Sequence, residues 1–319
     1  MGDNFKASSK KEWQSLIEKS SKGKSYESFS KELDGLTIHA FNMATDVVHS
    51  GAIARRKSGW KIGVDYHEQE AEQLNADILR YLNLGAEAIS VPVNTVEDLA
   101  LIYKDVHADW IHNDLILHPD IDPQKILAFF PKNTSLSIRQ ATVRLPNNVS
   151  SSLRLKKQNS HTEYIVALLA QAENILSEGN ALDNIVLHVD THVYIPLDVS
   201  FLRALRIVWA NYMSAKGFKD TTLKIASHIV SMEEDKDIQL IEQCVASMNA
   251  AMGGADYIYI QSSSSDNNYE RLSLQIQNVM KMESKMERDM DVFKGSFAIE
   301  NLSNTLAKNA WELAVRKLG

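Results

Sequence analysis

With 319 residues, 44% of them hydrophobic and 24% charged, the chain is long enough to bury a large core as one α/β domain with an appendage. A formal net charge of −7 argues against nonspecific binding of nucleic acid or an anionic membrane, both of which need a concentrated positive field. The single cysteine excludes an internal disulfide and a multi-cysteine zinc site, and no apolar run reaches the roughly 18 residues of a membrane span.

Residues 1–35 are rich in Lys, Ser and Glu, with sparse apolar positions at Trp13, Leu16 and Ile17. They are expected to form an amphipathic helix and a linker, an arm that buries little by itself and lies against another surface. The N-terminus has no apolar segment of the kind a signal peptide carries, so a cytoplasmic location is expected. Residues 36–319 read as one further domain. The basic cluster RRKSGWK (55–61) reads as a solvated turn at the start of its first strand.

From Trp60 onward, short β-branched runs alternate with helical patterns. Candidate strands are 60–65, 86–93, 114–119, 126–130 (ILAFF), 135–143, 184–193, 223–230 and 255–261. Helical spacing links several of them, and glycines at 85, 179, 217 and 253 mark helix ends. Strand–helix alternation implies parallel strands with right-handed crossovers, and eight strands favour a closed (β/α)₈ TIM barrel over an open sheet. The polar stretch RLPNNVSSSLRLKKQNS (144–160) reads as a surface excursion at one barrel end. Cys244 has apolar neighbours at helical spacing and reads as a small core residue. The serine run 262–265 reads as a loop, lacking the glycines and lysine of a phosphate cradle. A long helix and a terminal helix follow.

The stretch VLHVDTHVYIP (186–196) carries the chemistry of most interest. Strand alternation puts Leu187, Val189 and Thr191 on one face and His188, Asp190 and His192 on the other. The apolar face should meet the helices and the polar face the barrel interior, with His188 and Asp190 hydrogen-bonded there. With His228 from KIASHIV, these residues also compose a conceivable metal set, which would make the chain an independent metal-dependent barrel hydrolase or lyase. The D-x-H pattern of cobalamin signatures occurs at Asp65/His67, Asp105/His107 and Asp190/His192. In each case the required glycine is replaced, by Glu70, Trp110 and Ile195. No G-x-S-x-G elbow and no H-E-x-x-H helix is present.

The run DVFKGSFAIENLSNTLAKNAWEL (291–313) resembles a segment of the methylmalonyl-CoA mutase family, with Gly295, Ser296, Ile299, Glu300, Leu302, Leu306, Ala307, Ala310 and Trp311 in step. HTEYIVALLAQAENI, LRALRIVWA, PKNTSLSI and GWKIGVDYHEQEAEQLN are similar to further segments of that family, so the likeness covers most of 36–319. It implies a TIM barrel, adenosylcobalamin-dependent interconversion of methylmalonyl-CoA and succinyl-CoA, and in many bacteria a pair of unequal subunits.

The departures are as informative. Arg55 stands where the family's active barrel has a tyrosine, and Gly63-Val64-Asp65 replaces its R-Q-Y. The fifth-strand Y-H pair falls near Arg139 and Gln140. The R-T-H-x-Q-T-S-G run becomes Ala226 to Glu233, which keeps the histidine as His228 and loses the arginine and glutamine. The family's C-terminal cobalamin-binding domain is expected to be absent after the barrel. The resemblance therefore implies a small, non-catalytic (beta) subunit with no catalytic, cofactor-binding or metal-binding residues of its own. Arg139, Gln140, His188, Asp190 and His228 would be a polar barrel lining. Adenosylcobalamin would sit in a large catalytic subunit that forms a heterodimer with this chain.

Overall fold

The computed structural model describes residues 9–47, 59–139, 145, 149–177, 182, 184–218, 223–231, 233–261, 267–288 and 291–318. The N-terminal helix α1 (Lys10–Ser20) begins at a capping box, in which the Ser9 hydroxyl accepts the Glu12 N–H and the Glu12 carboxylate accepts the Ser9 N–H. Its Trp13 stacks on Phe41 at 4.4 Å and meets the Tyr26 ring edge-on at 5.6 Å. A two-residue hairpin of β1 (Lys31–Leu33) and β2 (Leu36–Ile38) follows. Asp34 and Gly35 at its tip have φ of +55° and +73°, the pair of left-handed residues that a type I′ turn requires. The expected boundary at residue 35 thus falls inside a hairpin. Leu36 is buried in the same core as the barrel helices.

Eight parallel strands close the barrel: β3 (Lys61–Asp65), β4 (Ala88–Val93), β5 (His112–Leu117), β6 (Ser135–Ile138), β7 (Val149–Arg154), β8 (Ile185–Thr191), β9 (Lys224–Ile229) and β10 (Tyr257–Gln261). Around them run α2 (Ala71–Asn83), α3 (Asp98–Ile102), α4 (Pro123–Phe129), α5 (His161–Ser177), α6 (Ile195–Ala215), α7 (Lys236–Met252), α8 (Asn267–Met282) and α9 (Phe297–Leu318). This is a (β/α)₈ barrel with an N-terminal helical arm. Among the described residues no helix is long and apolar enough to cross a membrane.

Two expectations are corrected. ILAFF belongs to α4, because Asp122 caps it by accepting the Gln124 N–H and Pro123 occupies its first turn, where no N–H is needed. The fifth barrel strand is β7, drawn from the stretch read as a surface excursion. A third correction concerns Cys244, which is exposed on α7. Gln140, Arg55, Gly179, most of the basic cluster and the serine run lie outside the described residues.

Most of the core between strands and helices is apolar. In α6, 15 of 21 residues are buried, because β8 and β9 lie beneath it and α9 covers it. Arg206 of α6 donates to the carbonyls of Leu223 and Gly254 and to Asp256 at 2.8 Å, which ties the helix to the entries of β9 and β10. Arg203 pairs with Asp291 at the start of the C-terminal run.

Candidate functional site

Alternation along β8 sends Leu187 and Val189 to the helices and Val186 and His188 to the axis. His188 is fully buried there. The axis is polar through its middle layer. Asp114 of β5 is fully buried and accepts from Arg139 at 2.6 Å, Ser137 at 2.6 Å and Ser90 at 3.2 Å. Burial opposes its ionisation, but His188, Arg139 and Ser137 more than offset this and hold the carboxyl well below its usual range. His188 Nε2 lies 2.6 Å from Ser152 Oγ and 3.5 Å from Asp114 Oδ1. His188 Nδ1 lies 2.7 Å from His228 Nε2, and His228 Nδ1 lies 3.0 Å from Asp65 Oδ2.

Burial brings the His188 pKa down to about 4, against the pull of Asp114. Burial would raise Asp65, but the hydrogen bond and charge of His228 prevail and bring it to about 2. Below this layer His112 stacks on Tyr257 at 4.2 Å, and burial lowers His112 to about 3. Tyr259 stacks on His228 at 5.1 Å.

The sequence-derived residues therefore separate into two places. Arg139, His188 and His228 meet at the axis. Asp190 does not hydrogen-bond inside the barrel as expected. It stands at the mouth, exposed, and binds Arg154 at 2.7 Å, because the strand has risen past the packed layers by that point. His192 is beyond the strand end and exposed, its carbonyl held by Asn249. The set His188, Asp190, His192 and His228 is thus not brought together. Among the described residues no three His, Cys, Asp or Glu side chains are grouped to hold a metal ion. Sequence reasoning missed Asp114, Asp65 and Ser152 as partners of the two histidines. At the C-terminal mouth a cleft of about 450 Å³ is lined by Arg154, Tyr164, His188, Asp190, His192 and Phe201 among others.

Residues 162–318, from α5 to α9, match the family model for methylmalonyl-CoA mutase. This span, just under half of the chain, is similar to the methylmalonyl-CoA mutase family. Among curated relatives, the methylmalonyl-CoA mutase small subunit of Porphyromonas gingivalis is 28% identical over 129 residues, 37% of this chain and 21% of the relative. The methylmalonyl-CoA mutase of Rhizobium meliloti is 24% identical over 236 residues, 66% of this chain and 32% of the relative. The chain therefore spans no more than about a third of these mutases. Among solved structures, Yersinia pestis dihydropteroate synthase with a pterine-sulfa conjugate is 10% identical with a TM-score of 0.44, covering 79% of this chain and 99% of that one. A truncated 3-deoxy-D-arabino-heptulosonate 7-phosphate synthase from Thermotoga maritima is 15% identical with a TM-score of 0.42, covering 91% and 98%. Within the mutase-like region, Arg203, Arg206 and the buried Trp209 of the LRALRIVWA motif all serve the scaffold.

Proposed function

We propose that the chain is the barrel of a small, non-catalytic subunit that supports a large catalytic subunit of methylmalonyl-CoA mutase. In that assembly adenosylcobalamin and the CoA thioester belong to the large subunit. The observation that carries this reading is the commitment of the axis-facing polar groups to one another: Arg139 to Asp114, His188 to Ser152, and His228 to Asp65. A radical rearrangement needs donors held open toward its thioester in a sealed site. Here those donors are engaged within the barrel wall. The small-subunit name of the Porphyromonas gingivalis relative supports the same reading. The test is co-expression with a full-length mutase large subunit. A stoichiometric complex is expected, with no uptake of adenosylcobalamin by this chain alone. Failure to co-purify, or a cobalamin spectrum on the isolated chain, overturns the proposal.

A further inference from the structure

Four side chains form a single file across the barrel axis: Ser152 Oγ, 2.6 Å from His188 Nε2; His188 Nδ1, 2.7 Å from His228 Nε2; and His228 Nδ1, 3.0 Å from Asp65 Oδ2. In heavy atoms this is a serine nucleophile, a base and an orienting carboxylate, lengthened by one imidazole. Whether the serine is activated depends on where the protons sit.

A fifth residue decides that. Arg139 Nη2 lies 3.1 Å from His188 Nδ1. A guanidinium only donates, so His188 Nδ1 presents its lone pair. His188 is neutral when buried, and its one proton is therefore on Nε2, facing Ser152. His228 Nε2 lies against the same lone pair and must donate to it. His228 Nδ1 faces the ionised Asp65 and must donate as well.

We infer that this file is set in the reverse sense for catalysis, with His188 protonated on Nε2 and His228 an imidazolium, and that Arg139 is the positioning residue that fixes it so. His188 then donates to Ser152, and its one lone pair, on Nδ1, faces Arg139 and His228, away from the hydroxyl whose proton it would have to take. The serine is not a nucleophile although every neighbour of one is in place.

The charges around the file balance under this assignment. Arg139 pairs with Asp114, His228 with Asp65, and Arg154 with Asp190 at the mouth. Arg154 also stands 3.9 Å from Asp65. The remaining titratable groups facing the file are neutral: His112 on β5, and Tyr257 and Tyr259 on β10, whose phenols burial pushes up. Lys61 and Lys224 act on His112 from the lower layer.

The test uses the whole chain and involves neither a partner nor cobalamin. Nitrogen-15 spectra of histidine-labelled protein at neutral pH, assigned with His188→Gln and His228→Gln, should show one ring with both nitrogens protonated and one ring protonated on Nε2 alone. A neutral His228, or a His188 proton on Nδ1, overturns the assignment. If the variants fail to fold, the wild-type protein gives a second reading. A fluorophosphonate probe should leave Ser152 unmodified, and covalent labelling of Ser152 located by mass spectrometry overturns the inference.

Discussion

The ring of Tyr259 lies where a side chain on Gly63 would stand: a Cβ built on Gly63 would be 2.6 Å from Tyr259 Cδ1 and 2.7 Å from Cε1. The two residues are register partners on neighbouring strands β10 and β3. A position where the resemblance puts an arginine is empty so that an aromatic ring can close the axis. The missing side chain on one strand leaves the room that the ring on the next one fills.

Gly63→Ala should therefore destabilise the fold by about 1–3 kcal/mol through overpacking, since the ring it meets is 1% exposed and stacked on His228. Tyr259→Phe should leave stability unchanged or slightly raised, because the phenol oxygen is buried and has no hydrogen-bond partner among the described residues. Urea denaturation of both variants checks this pair of expectations. A clear loss in Tyr259→Phe would refute the second.

Arg139→Met strands the fully buried Asp114 carboxylate without its cation, and should cost about 3–5 kcal/mol. Adding Asp114→Leu should recover most of that loss, because an apolar pair replaces an ion pair at little net expense. If the double variant is no more stable than the single one, the charge pairing is not what Arg139 supplies.

Acid should weaken the protein over a defined window. His188 and His112 have folded pKa values of about 4 and about 3, both below the 6.5 of a free histidine. The folded state thus binds fewer protons than the unfolded chain between these limits, and stability rises with pH there. The contribution is fully present above about pH 6.5 and is lost as pH falls toward about 4 for His188 and about 3 for His112. Near pH 5 the slope should approach two protons per unfolding event, about 2.7 kcal/mol per pH unit. Replacing His112 with Gln should roughly halve that slope in denaturation curves taken from pH 4.5 to 7.

Asp34 at the hairpin tip accepts the His161 N–H at 2.9 Å and His161 Nδ1 at 2.7 Å, at the start of α5. Asp34→Ala removes this acceptor and puts alanine in a left-handed conformation. A loss of about 1–3 kcal/mol is expected, with faster proteolysis within residues 9–47. Asp34→Asn keeps an acceptor and tolerates the turn, and should lie much closer to the parent. Equal effects from the two substitutions would show that neither the cap nor the turn matters.

Much of the barrel is legible in the sequence because its outward strand faces obey the usual alternation; Leu187 and Val189 against His188 is an example. The fifth strand is not legible, for a physical reason. Its axis-facing residues include Ser150 and Ser152, so VSSSLR presents the composition of a loop while its polar groups are satisfied inside. ILAFF fails in the opposite direction: its β-forming composition hides the Asp122-Pro123 helix start, a signal that could have been weighed. At the site, His188 follows from parity within one strand. Its partners Asp114 and Ser152, and Asp65 beyond His228, come from three other strands, and only closure of the barrel sets their register. Asp190 shares the parity of His188 but not its environment, since alternation fixes a side chain's direction and leaves its height along the axis open.

The burial of α6 beneath α9 has a consequence for how the chain is made. A ribosome delivers α6 well before α9, with β9, α7, β10 and α8 in between, so the nascent chain presents the helix with the most buried residues while its outer side is bare. During that interval the strands can be complete while the fold is not. Synthesis of α9 is then the step that covers α6, and slow translation between residues 215 and 297 would lengthen the chain's dependence on chaperones.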